Sequence, residues 1–188
     1  MSDPVPLIRE KQDKLHAHLE AAYKEFRLER DRVQETVLWV NKPEQLPKLA
    51  MDLRDDKELL FDRLSDLTAY DNVDQKDGPK RFIGVYQLYS MKNHTRLRLK
   101  VPVNENESLP TLTGIWRAAN WLEREVYDLF GIRYEGHPDL RRIMMDERFQ
   151  GHPLRKEYEL KDRQPFPDSL PARIAPRAPT ESLKDSKP

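Results

Sequence analysis

Leu97, Leu99, Val101 and Val103 alternate with Arg96, Arg98 and Lys100, a period of two that only an extended strand with one apolar face can satisfy. Just upstream, Phe82 to Met91 is rich in aromatic and β-branched residues, and Lys92-Asn93-His94 supplies turn chemistry between the two runs. The pair therefore reads as a β-hairpin with one solvated or partner-facing basic edge, and the rest of the fold must supply a cover for its apolar side.

Covering helices are legible on both flanks. From Val5 to Arg30, the residues Leu7, Ile8, Leu15, Leu19, Ala22 and Phe26 recur near multiples of the helical period, so one amphipathic helix is expected across that span. Val33 to Val40 reads as a strand closed by Asn41-Lys42-Pro43, and a second helix is expected from Pro43 or Glu44 to about Arg54. The stretch from Leu60 to Tyr70 fits a helix through Leu60, Leu64 and Leu67 and equally alternates as a strand. Pro110-Thr111-Leu112-Thr113 opens the strongest helical pattern, with Thr111 or Thr113 as N-cap, Leu112, Ile115, Ala119, Leu122, Val126 and Leu129 as its buried stripe, and Gly131 as the left-handed residue that ends it. Ile132 to Tyr134 reads as a short strand.

After residue 160 the character changes. Residues 161–188 hold six of the 15 prolines and few large apolar residues, too few to build a core, so a domain over residues 1–160 and an extended or disordered partner-binding tail are expected. Charge adds exclusions: 33 Lys plus Arg balance 33 Asp plus Glu among 188 residues, which removes the broad basic field of a phosphate-neutralising nucleic-acid binder. With no cysteine there is no disulfide, thiolate nucleophile, zinc ribbon or four-cysteine iron-sulfur site. The acidic start, with Asp3, Glu10 and Asp13, is neither signal nor transit peptide, so the protein is expected to stay inside the cell, and no run reaches the roughly 18 to 20 apolar residues of a membrane span.

Few residues invite chemistry. His137 and His152, with Asp139 and Glu157, are candidate metal ligands, but their spacing matches no standard site, and each histidine sits in a Gly-His-Pro turn where its ring can bond a neighbouring carbonyl. No serine elbow accompanies them, and the six glycines are isolated from one another, which excludes a phosphate loop. Arg141-Arg142 and Arg155-Lys156 are flanked by Asp139, Asp146, Glu157 and Glu159, so ion pairing is expected. On a helical wheel Arg117, Trp121, Arg124 and Asp128 fall opposite the apolar stripe, and Arg124 and Asp128 stand four apart as a surface pair. A tryptophan between arginines has the composition of an interface hot spot; cover from another part of the same chain is the other reading.

The run Glu123-Arg124-Glu125-Val126-Tyr127-Asp128-Leu129-Phe130-Gly131-Ile132, continued by Gly136-His137-Pro138-Asp139-Leu140-Arg141-Arg142-Ile143 and Gly151-His152-Pro153-Leu154-Arg155-Lys156, closely resembles the signature of the 30 kDa subunit family of respiratory complex I, the C-type subunit of the bacterial NADH-quinone oxidoreductase. The segment from Phe61-Asp62 to Thr68-Ala69-Tyr70-Asp71 is also similar, which favours the strand there. One departure is that Glu157-Tyr158-Glu159-Leu160 stands where the family usually has Asp-Tyr-Pro-Leu. The resemblance implies an α+β fold, a two-layer sandwich of a mixed β-sheet packed on helices, in a subunit without cofactor, catalytic residue or metal of its own, FMN and iron-sulfur clusters belonging to partner subunits. It implies a place beside the quinone-site subunit (the 49 kDa, D-type subunit) and the iron-sulfur subunits, on the cytoplasmic side of a bacterial inner membrane, peripheral, touching the membrane only through the complex and binding no nucleic acid. A separate subunit, not one fused to the quinone-site subunit, is expected.

The function expected on this basis is a non-catalytic subunit that supports a proton-translocating NADH-quinone oxidoreductase. Equivalent subunits serve membrane-bound hydrogenases and ferredoxin-linked complexes, and a rival of another class is a free-standing metal enzyme using His137 and His152. Trp121, Glu123, Arg124, Glu125, Asp128, Gly131, His137, Pro138, Asp139, Arg141, Arg142, His152, Pro153, Arg155 and Lys156 are the expected signature and interface residues.

Overall fold

A computed structural model describes residues 4–159 and 161. Helix α1 (Pro4–Ala22) is followed by strands β1 (Arg27–Arg30) and β2 (Thr36–Trp39), a 3-10 turn (Pro43–Gln45), helix α2 (Leu46–Asp55) and strands β3 (Arg63–Asp71), β4 (Phe82–Ser90) and β5 (Thr95–Val103). Strand β6 (Ser108–Pro110), helix α3 (Ala119–Phe130) and strand β7 (Arg133–Glu135) complete it.

Five strands form one sheet in the order β1-β2-β5-β4-β3. The β2–β5 pair is parallel and the others antiparallel, while β6 and β7 make a separate parallel pair. All three helices contribute to a single core on one face of the sheet: Leu15 and Leu19 from α1, Leu46, Leu49, Ala50 and Leu53 from α2, Ala119, Val126 and Phe130 from α3. The α2 spacing, residues 46, 49, 50 and 53, is the one-sided stripe that a helix lying on a sheet requires. Opposite them the sheet presents Leu38, Leu67, Tyr86, Leu88, Leu97, Leu99 and Val101. The expected mixed sheet packed on helices is therefore what forms; the Pro-rich segment lies outside the described residues except for Lys161.

Four expectations need correction or completion. The N-terminal helix ends at Ala22 instead of running to Arg30, because residues 27–30 pair with β2 around a turn in which the Asp31 carboxylate accepts the amides of Val33 and Glu35. The ambiguous span after Leu60 becomes strand from Arg63 onward, and the helical spacing of Leu64 and Leu67 is accounted for by a register shift between Leu64 and Asp66 that returns both leucines to the core face.

Helix α3 starts at Ala119, with no side-chain cap, instead of at Thr111 or Thr113. Residues 112–118 are turns: the Thr111 hydroxyl donates to Glu123, and the Leu112 amide donates to the same carboxylate at 2.7 Å, so the helix's own acid holds the approach to it.

The basic row on β5 is neither at an edge nor free. Arg98 lies between Asp31 and Glu35, at 2.7 and 3.2 Å. Lys100 and Arg27 both stand over the Trp39 ring, 4.6 and 5.3 Å from its centre. These long side chains cover a small apolar cluster of Val37, Trp39, Ile83 and Val85 on the sheet face that carries no helix.

Candidate functional site

Charged residues on α3 anchor the chain that follows it. Asp128 has no exposed side-chain surface; one oxygen holds the Arg142 guanidinium at 2.9 Å and the other accepts the amides of Ile143, Met144 and Met145 at 3.0, 2.7 and 2.9 Å. Burial pushes its carboxyl up, but three amides and a guanidinium outweigh that and leave it below the ordinary aspartate value. Arg124, also buried, spends its guanidinium on the carbonyls of Arg141 and Arg142, at 3.1 and 3.3 Å. The expected four-apart surface pair of Arg124 and Asp128 therefore does not exist; both side chains turn to the returning chain.

The second Gly-His-Pro segment closes the end of the same helix. An α-helix leaves its last four carbonyls without intrahelical partners. Here Gly131, in the expected left-handed conformation at φ 80°, donates its amide to the Tyr127 carbonyl at 2.9 Å. His152 Nδ1 donates to Asp128 O at 2.9 Å, the Leu154 amide to Leu129 O at 3.1 Å, and Arg155 Nε to Phe130 O at 2.7 Å. All four positions are filled. Burial holds the His152 ring below its ordinary value, with Arg155 and Arg142 adding to the effect, so the imidazole is neutral at physiological pH.

The first Gly-His-Pro turn acts at the other end of α3. His137 Nε2 donates to Asn120 O at 3.0 Å while its Nδ1 accepts the Asp139 amide at 3.0 Å, so both ring nitrogens are occupied. The carbonyls that the two histidines reach are eight residues apart on the helix, about 12 Å by helical rise. No group of three or more His, Asp or Glu is placed to hold a metal ion among the described residues. The structure thus separates the two histidines that the metal-enzyme rival needs together.

The remaining signature residues divide clearly. Arg155 also reaches Glu105, and Arg81 joins Glu105, Glu157 and Asp71, whose carboxylate accepts the Lys156 amide at 2.9 Å. This network ties residues 155–157 to the end of the sheet. Arg141 pairs with Asp139 at 3.0 Å on the surface, worth roughly 0 to 1 kcal/mol. Pro138 is exposed and Pro153 half-buried, each setting a turn. Glu123 is fully buried under Thr111 and Leu112, which charge patterning alone did not foresee; its neighbours Tyr86 and Tyr134 are likewise sealed in. Glu125, half-buried, has no hydrogen-bond or ion-pair partner among the described residues. Trp121 is 64% exposed, with Arg124 beneath it, guanidinium 5.0 Å from the ring centre.

Fold and site define a class of protein: an α+β module whose charged signature is largely consumed in holding its own backbone. Its relatives give that class a family. The family described as "Respiratory-chain NADH dehydrogenase, 30 Kd subunit" matches residues 39–164, and the chain belongs to that family. The second C-type subunit of the NADH-quinone oxidoreductase of Rhizobium meliloti (strain 1021) is 48% identical over 119 residues, covering 63% of this chain and 64% of that one, so the match spans somewhat less than two thirds of that relative's length. The combined C/D-type subunit of the NADH-quinone oxidoreductase of Bdellovibrio bacteriovorus is 42% identical over 144 residues, 76% of this chain and 25% of that one. A chain in the solved structure of the membrane-bound sulfane sulfur reductase, an archaeal respiratory membrane complex, shares the fold with a TM-score of 0.65 at 21% identity, covering 81% of this chain and 87% of that one.

Proposed function

We propose that this chain is a non-catalytic peripheral-arm subunit of a proton-translocating NADH-quinone oxidoreductase. It supports assembly beside the quinone-site subunit while electrons pass from NADH to quinone through FMN and iron-sulfur clusters in its partners. The observation that carries this reading is the fate of the family signature: Arg124, Asp128, Arg142, His152 and Arg155 bind backbone groups of the chain itself, so these side chains are spent on holding the fold. The Bdellovibrio relative, whose name joins the C and D types in one chain, supports a D-type neighbour. Membrane contact through the complex accords with the absence, among the described residues, of any helix long and apolar enough to cross a bilayer. Residues 161–188 are assigned to contact with a partner, at the cytoplasmic face of a bacterial inner membrane.

The test is co-purification of the tagged chain from gently solubilised membranes, followed by native gels of two variants. Arg142→Ala breaks the Asp128–Arg142 pair that locks the returning chain onto α3; Glu125→Ala removes an acid without a partner among the described residues. Both are expected to lower assembled complex and quinone reductase activity together, with activity per assembled complex nearly unchanged. Full assembly with activity reduced about tenfold, equivalent to ~1.4 kcal/mol in the barrier, overturns the reading.

A further inference from the structure

Trp121 lines an open groove between the start of β3 and the approach to α3, together with Asp62, Arg63, Ile115 and Arg117. One face of the indole is already covered by the Arg124 guanidinium, and the ring remains 64% exposed. Arg63 and Arg117 are exposed, and neither has a carboxylate partner among the described residues. Asp62 is engaged, its carboxylate accepting the Met91 amide at 3.0 Å. Elsewhere Arg30, Arg81, Arg98, Arg142 and Arg155 are matched by acids of the same chain, whereas these two guanidiniums share a groove with an exposed indole. Four residues beyond Trp121 stands Glu125, the complementary case of an acid without a partner among the described residues. Trp121 and Glu125, both on α3, stand four residues apart, so ring and acid share one side of the helix.

We infer that this groove receives an acidic peptide segment of a neighbouring subunit, which lays an apolar or proline residue on Trp121 and a carboxylate between Arg63 and Arg117. This inference rests on the assembly role proposed above and adds the chemistry of the partner. Two unmatched guanidiniums select a carboxylate, because guanidinium and carboxylate geometry favours paired hydrogen bonds. The indole, held from beneath by Arg124, offers a rigid platform that loses little entropy when covered.

The experiment uses the complex in its membrane. The tagged chain carries Arg63→Glu with Arg117→Glu, or Arg63→Lys with Arg117→Lys, or Trp121→Ala, and the fraction incorporated is read from native gels. Charge reversal is expected to lower incorporation about tenfold, the lysine pair to stay within about twofold, and Trp121→Ala to fall between them. Separately, a photo-crosslinking residue placed at Arg117 is activated in assembled complex and the captured peptide identified by mass spectrometry; a peptide from another subunit with Asp or Glu beside the crosslink is the expected result. Normal incorporation of the reversed pair, or a captured peptide without acidic residues, overturns the inference while leaving the assembly role intact. Wild-type chain that fails to travel with the oxidoreductase overturns the assembly role itself.

Discussion

Asp128 holds Arg142 at 2.9 Å from a position with no solvent exposure, and the carboxylate's second oxygen collects three consecutive backbone amides. Removing the acid strands a part-buried guanidinium and three donors at once. Breaking a buried pair from one side costs roughly 3 to 5 kcal/mol, and because Arg142 keeps a second bond to the Gly151 carbonyl at 2.8 Å, the lower end applies. Asp128→Ala is therefore expected to destabilise the isolated chain by about 3 kcal/mol in urea unfolding. The sign with pH follows from its lowered value: the contribution is complete above the ordinary aspartate value and is lost as pH falls through the folded one. A variant as stable as wild type at pH 7 refutes the lock.

Gly131 lies where the lock closes on the helix end. At φ 80° a side chain is strained, and a Cβ there would meet the Arg155 guanidinium at 2.5 Å and the His152 ring at 2.6 Å. Gly131→Ala should therefore cost more than the usual ~1 kcal/mol for this conformation, and the excess should appear as loosening of residues 152–157. Hydrogen exchange reports it directly, since the Leu154 and Lys156 amides, bonded to Leu129 O and Asp71, lose protection together. Exchange unchanged at both amides contradicts the coupling.

The elements that sequence made legible are those whose pattern and packing agree. The β4–β5 hairpin alternates as written, α2 buries its period-3.6 stripe, and Gly131 terminates α3 as its φ demands. What escaped had a cause outside local pattern. Phe26 continues the helical spacing of α1, yet residues 27–30 are claimed by pairing with β2, and tertiary pairing overrides a weak propensity. Thr111 looks like an N-cap but serves Glu123, twelve residues on. At the site, the resemblance named residues without their geometry. Arg124 and Asp128 read as a surface pair because wheel position assumes that polar means exposed, and the chain of residues 139–157 folding over that face reversed the assumption. The spacing of Glu123 from the buried stripe was the one available clue that a carboxyl sat on the core side.

Glu123 supplies the last prediction. It is fully buried, its hydrogen-bond partners Thr111 and the Leu112 amide are neutral, and across from it the phenols of Tyr86 on β4 and Tyr134 on β7 are driven well above their ordinary value, chiefly by burial. Burial likewise pushes the Glu123 carboxyl up to about 7, with the two hydrogen bonds opposing the shift. The folded chain therefore retains a proton that the unfolded chain releases near 4.5, so the burden of this acid is absent below that pH, grows as pH rises, and is complete above about 7. Glutamine keeps an acceptor oxygen for the Leu112 amide, its amide nitrogen can donate to the Thr111 hydroxyl, and it never ionises. Relative to Glu123→Gln, the wild-type chain should lose roughly 2 to 3 kcal/mol of stability between about pH 5 and 8, since one unit of displacement corresponds to about 1.4 kcal/mol. Urea unfolding of both chains across that range measures it, and parallel stability curves would show that the carboxyl is ionised throughout.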